Sequence, residues 1–383
     1  MGLKRRVAFE EMNCTLDELI QLLDYTPVIS YIHPISLCFL PENVVVYESL
    51  AQLAWELDAP QPILPEHILI TATDPQYQHR FPTAHCQHDP FTPDLNQVLY
   101  DHYEYIESHM LSQRDIGERI VDAADDVQVV VLMLSDGLSY QDVVGWQEES
   151  APIQVEPCLV NGPTVTSIGF RNIVGDPPLA ARLFDHGFTC RLGFTYWHRE
   201  DNTLTDHLFR TIGHTEKAGH FAEILEALRL HFSLSRAGKT YIQVLLTGLD
   251  GYVHGQKRKP PVEAIVAGIR DELLNLARLF LELGLRARIY LTADHGILWR
   301  DEFEPQTIGS APGKSSPRCC GWSELYHQSE PGKRFKLYGK ELFCLNYPKL
   351  RRELHIDDQG VHGGISFQES IVPFVTVEVN LET

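Results

Sequence analysis

Val127-Gln128-Val129-Val130-Val131-Leu132-Met133-Leu134, running straight into Ser135-Asp136-Gly137, decides the fold class of this chain. The run is strand-sized and almost wholly apolar. Continuous apolarity, as opposed to strict alternation, marks a strand covered on both faces, as in a parallel sheet. The same grammar continues downstream. Pro177–His186 reads as a helix stopped by Gly187, and Phe188–Phe194 as a strand. Glu216–Ser235 is helical and Tyr241–Leu246 is a strand; Pro261–Leu283 is a long amphipathic helix closed by Gly284, and Ala287–Leu291 is the next strand. Leu342–Leu345 and Ile371–Val377 form a last pair of strands on either side of His362. Alternating strands and helices predict an α/β fold, a mostly parallel central sheet with helices on both faces.

Ligands of such sheets bind at the carboxyl ends of the strands. Asp136, Asp250 and Asp294 each stand at or just after such an end, in Ser135-Asp136-Gly137, Asp250-Gly251-Tyr252-Val253-His254 and Thr292-Ala293-Asp294-His295-Gly296. Val361-His362-Gly363-Gly364 adds a third histidine to His254 and His295. One Asp-Gly is an ordinary turn, and one Asp-His pair is more often a structural hydrogen bond. Three carboxylates and three imidazoles converging on one sheet edge are the ligand set of two divalent cations, zinc first and manganese second, suited to holding both oxygens of a phosphoryl displacement.

Composition narrows the class further. At 383 residues the chain exceeds one typical core. It divides into an amino-terminal module over 1–126, α/β or mixed, and a catalytic domain over 127–383. In the module, Thr15–Leu23 reads as a helix, Asn43–Val46 and Ile68–Thr71 as strands, and the Pro-, His- and Asp-rich stretch 73–98 as a long loop. No run approaches a membrane span and the amino terminus lacks an apolar signal core, so a cytoplasmic setting without a membrane partner is expected. Eight scattered cysteines without CxxC spacing fit reduced thiols. A net charge of −20 argues against bulk binding to nucleic acid. Even so, Lys257-Arg258-Lys259 and the basic stretch 310–352 adjoin the metal-type segments, which makes Lys257 and Arg318 candidates for steering or gripping a phosphate-bearing substrate.

A nucleophile is offered by Pro163-Thr164-Val165-Thr166-Ser167, just before a short segment ending at Gly175. A hydroxyl at a helix start meets unpaired N–H groups that favour alkoxide and phosphate, although simple capping explains it as well. With these residues in view, the chain resembles the alkaline phosphatase superfamily and, within it, the PglZ domain of BREX-type phage-defence systems. The resemblance covers Val127 to about Val379. The closing segments Val361–Ser366 and Glu369–Pro373 carry the narrower likeness. It implies one cation on Asp250, His254 and His362 and another on Asp136, Asp294, His295 and the Thr166 oxygen, with Thr166 preferred over Thr164 and Ser167 by its distance from Gly175. The implied activity is hydrolysis of a nucleotide or oligonucleotide phosphodiester through a phosphothreonine, with phosphomonoesterase or phosphomutase chemistry, or a non-catalytic role among defence-system partners, as alternatives. Arg171 joins Arg318 as a candidate grip on non-bridging oxygens. Ligands for the third, magnesium site of bacterial phosphomonoesterases have no counterpart, and the sulfatase Pro-Arg motif is absent.

Overall fold

The computed structural model describes residues 28–30, 44–47, 67–70, 84–86 and 95–380, apart from 149–152, 197–211, 213–214, 235–237, 255–257, 310–315 and 323–330. The chain forms two compact units, 1–110 and 111–383. The first holds four strands, β1 (Val28–Ser30), β2 (Val44–Tyr47), β3 (His67–Ile70) and β4 (Ala84–Cys86), all parallel in the order β2-β3-β1-β4. Helices α1 (Leu95–Asp101) and α2 (Tyr103–His109) follow. The expected strands near 43–46 and 68–71 are present. The stretch 73–98, expected as a loop, contains β4 and the start of α1. The expected helix Thr15–Leu23 lies outside the described residues.

The second unit is built on a seven-stranded sheet. Its strands are β5 (Val129–Ser135), β6 (Ile153–Leu159), β7 (Cys190–Thr195), β8 (Thr215–Lys217), β9 (Thr240–Leu246) and β10 (Ala287–Ala293). A three-stranded antiparallel sheet follows in sequence, β11 (Cys319–Gly321), β12 (Gly332–Leu337) and β13 (Lys340–Leu345), before β14 (Ile371–Val379) completes the large one. The order in the large sheet is β6-β14-β10-β5-β9-β7-β8, and β14 alone runs against its neighbours. This is the mostly parallel α/β architecture that the strand-helix alternation predicts. Every residue of β5 and of β9 is buried, so the sheet is covered on both faces. Each fully buried Val, Leu or Ile contributes roughly 1.5–3 kcal/mol by leaving water.

Helices α3 (Gln113–Asp122), α4 (Thr166–Val174), α5 (Leu179–Asp185), α6 (Phe221–Leu234) and α7 (Val262–Glu282) supply the cover. In α7 the buried positions Val266, Ile269, Leu273, Leu276 and Phe280 recur every three or four residues, one stripe of a 3.6-residue helix. Because this unit begins at Leu111, α3 belongs to it although it precedes the expected boundary at Val127. One expectation is corrected. Glu216 and Lys217, placed in a helix, lie in edge strand β8, and the helix starts at Phe221. The expected strands Leu342–Leu345 and Ile371–Val377 are both present, the first in the small sheet and the second in the large one. Among the described residues no helix is long and apolar enough to cross a membrane.

Candidate metal centre

Register decides what the centre contains. Ser135 of β5 pairs with Ala293 of β10 on one side and with Leu246 of β9 on the other. Asp136 and Asp294 therefore leave adjacent strands at the same level, and the turn after β9 brings in Asp250, whose N–H donates to the Asp136 carbonyl at 3.0 Å. Gly137 makes the exit turn at φ 75°, a conformation that costs glycine little. Its N–H donates to Asp294 Oδ1 at 3.0 Å.

The three histidines share one arrangement. Nδ1 of His295 contacts the Gly296 carbonyl at 3.0 Å, Nδ1 of His362 the Thr164 carbonyl at 2.8 Å, and Nδ1 of His254 the Asp358 carboxylate at 3.0 Å. Each partner can only accept, so each Nδ1 carries the proton and each Nε2 keeps its lone pair. Those of His295 and His362 face carboxylate oxygens. His295 Nε2 lies 3.3 Å from Asp294 Oδ2 and 3.6 Å from Asp136 Oδ1, and His362 Nε2 lies 3.4 Å from Asp250 Oδ1. Asp250 Oδ1 and Asp294 Oδ2 are buried and accept no hydrogen bond. Burial, reinforced by the neighbouring His362, holds the His295 imidazole well below its ordinary value, so it does not resolve the confrontation by taking a second proton. Burial and the Asp250 charge push the Asp294 carboxyl up.

Carboxylate oxygens and imidazole nitrogens converging at this spacing in a buried volume are a donor set that fits divalent cations. Ligand atoms of Asp250, His254 and His362 lie within 4.8 Å of one another, and so do those of Asp136, Asp250 and His295. Asp250 thus belongs to both sets, where the resemblance placed it in the first alone. Asp294 reaches the second set through His295.

The three candidate hydroxyls separate clearly. Thr164 Oγ1 donates to the Gly364 carbonyl at 3.0 Å and accepts from Gly363 N–H at 2.7 Å, which commits it to fastening the His362 loop. Ser167 is exposed. Thr166, the first residue of α4, has Oγ1 3.2 Å from His295 Nε2. Helix α4 can come this close because Gly169 has no side chain; a Cβ there would stand 2.1 Å from the Asp294 carbonyl oxygen.

The phosphate-gripping candidates fare differently. Arg318 is fully buried, with its guanidinium bonded to Glu369 at 2.9 Å and to the Lys349 carbonyl at 2.8 Å. Its donors are spent inside the protein, so the expectation that it holds substrate phosphate is corrected: with Glu369, which also accepts from Gly364 N–H at 2.9 Å, it braces the loop after His362. Arg171 lies with its guanidinium 3.8 Å from the ring centre of Tyr338, in the turn between β12 and β13. Lys257 lies outside the described residues, and Lys259 pairs with Asp301 at 2.8 Å.

Sequence reading misses three supporting residues. Asp358 holds His254, Glu369 braces the His362 loop, and Gln113 Nε2 donates to the Ala293 and Asp294 carbonyls at 2.9 and 2.8 Å. Asp358 and Gln113 stand in no motif, and Glu369 lies in the closing segment without a role assigned to it by the sequence. Asp358, four residues before His362, is one of several acids in its segment and carries no spacing signal of its own.

No protein-family description and no curated protein matches the chain. Solved structures resemble it distantly. Human ectonucleotide pyrophosphatase/phosphodiesterase 5 is 12% identical, covers 65% of this chain and 87% of its own, and superposes with a TM-score of 0.45. The C-terminal periplasmic domain of the phosphoethanolamine transferase EptC from Campylobacter jejuni is 9% identical over 66% of this chain and 79% of its own, at 0.36. A mutant of TAB5 alkaline phosphatase with Mg bound is 8% identical over 66% and 91%, at 0.29. At such scores the likenesses carry no weight for activity, and the fold class rests on the sheet itself.

Proposed function

We propose that this protein is a two-metal phosphoesterase of the alkaline phosphatase type, cleaving a phosphodiester of the nucleotide or oligonucleotide class with Thr166 as nucleophile. The observation that carries the reading is the set of three imidazoles, each with Nδ1 held by an acceptor, with Nε2 of His295 and His362 turned toward the aspartates and His254 grouped with Asp250 and His362. Two divalent cations held there would neutralise phosphoryl oxygens and ease deprotonation of the attacking oxygens. Thr166 Oγ1 stands in the first turn of α4, where N–H groups without intrahelical partners favour an incoming phosphate. Attack in line forms the Oγ–phosphorus bond as the ester oxygen departs. Water entering from the vacated side then breaks the Oγ–phosphorus bond, returning a proton to Thr166 Oγ1 and releasing the remaining half of the substrate as a phosphate monoester, and the two inversions give net retention at phosphorus.

A nucleotide-class diester is supported by the basic segments that adjoin the metal-type residues in sequence, Lys257 to Lys259 and the stretch 310–352. The sequence of the closing segment supports a narrower place beside PglZ proteins of phage defence, with zinc as the first metal and a cytoplasmic setting. The test is turnover of bis-aryl and mono-aryl phosphate esters by protein supplied with Zn²⁺ or Mn²⁺. The bis-aryl ester should be preferred, and Thr166→Ala should reduce turnover at least ~10³-fold. Turnover of neither ester would sink the enzymatic reading, and full turnover in Thr166→Ala would remove this nucleophile.

A further inference from the structure

We infer that Asp358 is a positioning residue for His254, and that the cation site formed by Asp250, His254 and His362 is the weaker and exchangeable one of the two, its hold set by the 355–359 segment. The inference rests on the two-cation reading above. Two contrasts between the sites point to it. The first is exposure: the His254 side chain is 39% exposed, His362 16% and Asp250 11%, against 2% for Asp136 and none for Asp294 and His295. The second is charge. The exposed set has one carboxylate and two imidazoles, whereas the buried set has Asp136 and Asp250 with one imidazole and Asp294 beside it. Fewer charges in better-screening surroundings hold a divalent ion less firmly.

His254 also depends most on outside help. The other two histidines are oriented by backbone carbonyls next to the site's own segments, Gly296 and Thr164. His254 relies on a side chain about a hundred residues away in sequence. The segment bearing Asp358 is tied down for that purpose. Arg300 Nη1 donates to the carbonyls of His355, Ile356 and Asp358 at 3.1, 3.4 and 3.4 Å. Gln359 N–H donates to the carbonyl of Val253, the residue before His254, at 2.8 Å, and Arg300 N–H donates to the Gln359 carbonyl at 2.8 Å. Asp358 Oδ2 accepts from His355 N–H at 3.3 Å, which fixes the carboxylate while Oδ1 faces the ring. A carboxylate on Nδ1 aims Nε2 and raises its basicity as a ligand.

The experiment is zinc titration of the full-length protein against a competing chelating indicator, with bound metal counted by elemental analysis. Wild type should bind two equivalents with separable affinities. Asp358→Ala should keep the tighter equivalent and weaken the other ~10–100-fold. Asp358→Asn, which retains an acceptor for Nδ1–H without the charge, should fall between them, and it carries the test if the alanine variant fails to fold. Two equivalents at wild-type affinity in both variants would overturn the role of Asp358, and so would equal weakening of both equivalents. Wild-type protein that takes up no zinc would instead overturn the two-cation reading, an outcome visible before any variant is made.

Discussion

At the scale of single residues, the centre shows how buried charge is assigned. Arg318 and Glu369 are both fully buried and neutralise one another, so they stiffen a loop and take no direct part in chemistry. A different acid is left dearer to keep ionised. Asp142 is half-buried beside Glu302 and Lys259, and desolvation pushes its carboxyl up to about 6, despite the N–H of Ser139 donating to it at 3.1 Å. The sign follows from linkage. Below the ordinary carboxylate range Asp142 is neutral in folded and unfolded chains alike; as pH rises to about 6 the unfolded chain ionises first, and folding loses stability over that window. Asp142→Asn, which keeps an acceptor for Ser139, should therefore match wild type near pH 4 and exceed it at pH 8 by up to about 3 kcal/mol, read by urea denaturation at both values. Equal stabilities at pH 8 would mean that the ionised carboxylate is better compensated than its burial implies.

At the scale of elements, the nucleophile is placed by the packing of one helix. Helix α4 meets the turn after β10 at Gly169, and Asn172 Nδ2 anchors the helix to the Asn161 carbonyl at 2.9 Å. A methyl group at 169 would sit 2.1 Å from the Asp294 carbonyl oxygen, so the helix or the turn must move. Gly169→Ala should cost about 1–3 kcal/mol of stability by overpacking. It should also lower turnover roughly 10²-fold with Thr166 chemically intact, because a displacement of about 1 Å misaligns an in-line attack. Calorimetry and steady-state kinetics on the same preparation check both effects, and unchanged kinetics would show that α4 does not set the position of Thr166.

At the scale of the whole molecule, the unit 111–383 carries both metal-type clusters together with α3. Gln113 on α3 caps the Ala293 and Asp294 carbonyls, and Ile116, Ile120 and Val121 of that helix are buried. A fragment over 111–383 should keep two-metal binding. A fragment over 127–383 should lose about 5 kcal/mol or more from the missing apolar burial alone and bind metal poorly. Zinc stoichiometry and thermal melts of the two fragments separate these outcomes, and equal behaviour would restore the boundary at Val127.

Strand-sized apolar runs and glycine-bounded helices are written into local sequence, because burial on both faces of a sheet requires unbroken apolar residues and one stripe of a helix requires a 3.6-residue period. That alone determined the α/β class and brought Asp136, Asp250 and Asp294 to one sheet edge. It also offered His254, His295, His362 and a hydroxyl among Thr164, Thr166 and Ser167. Only the tertiary structure decided the rest. It turned Thr164 into a brace and set Thr166 beside His295. It took Arg318 out of the substrate's reach and put Asp250 in both ligand sets. It also supplied Asp358 and Gln113 as supports. The reason is physical: a residue type states what bonds a side chain can make, but which partners it meets depends on register and packing between segments a hundred or more residues apart.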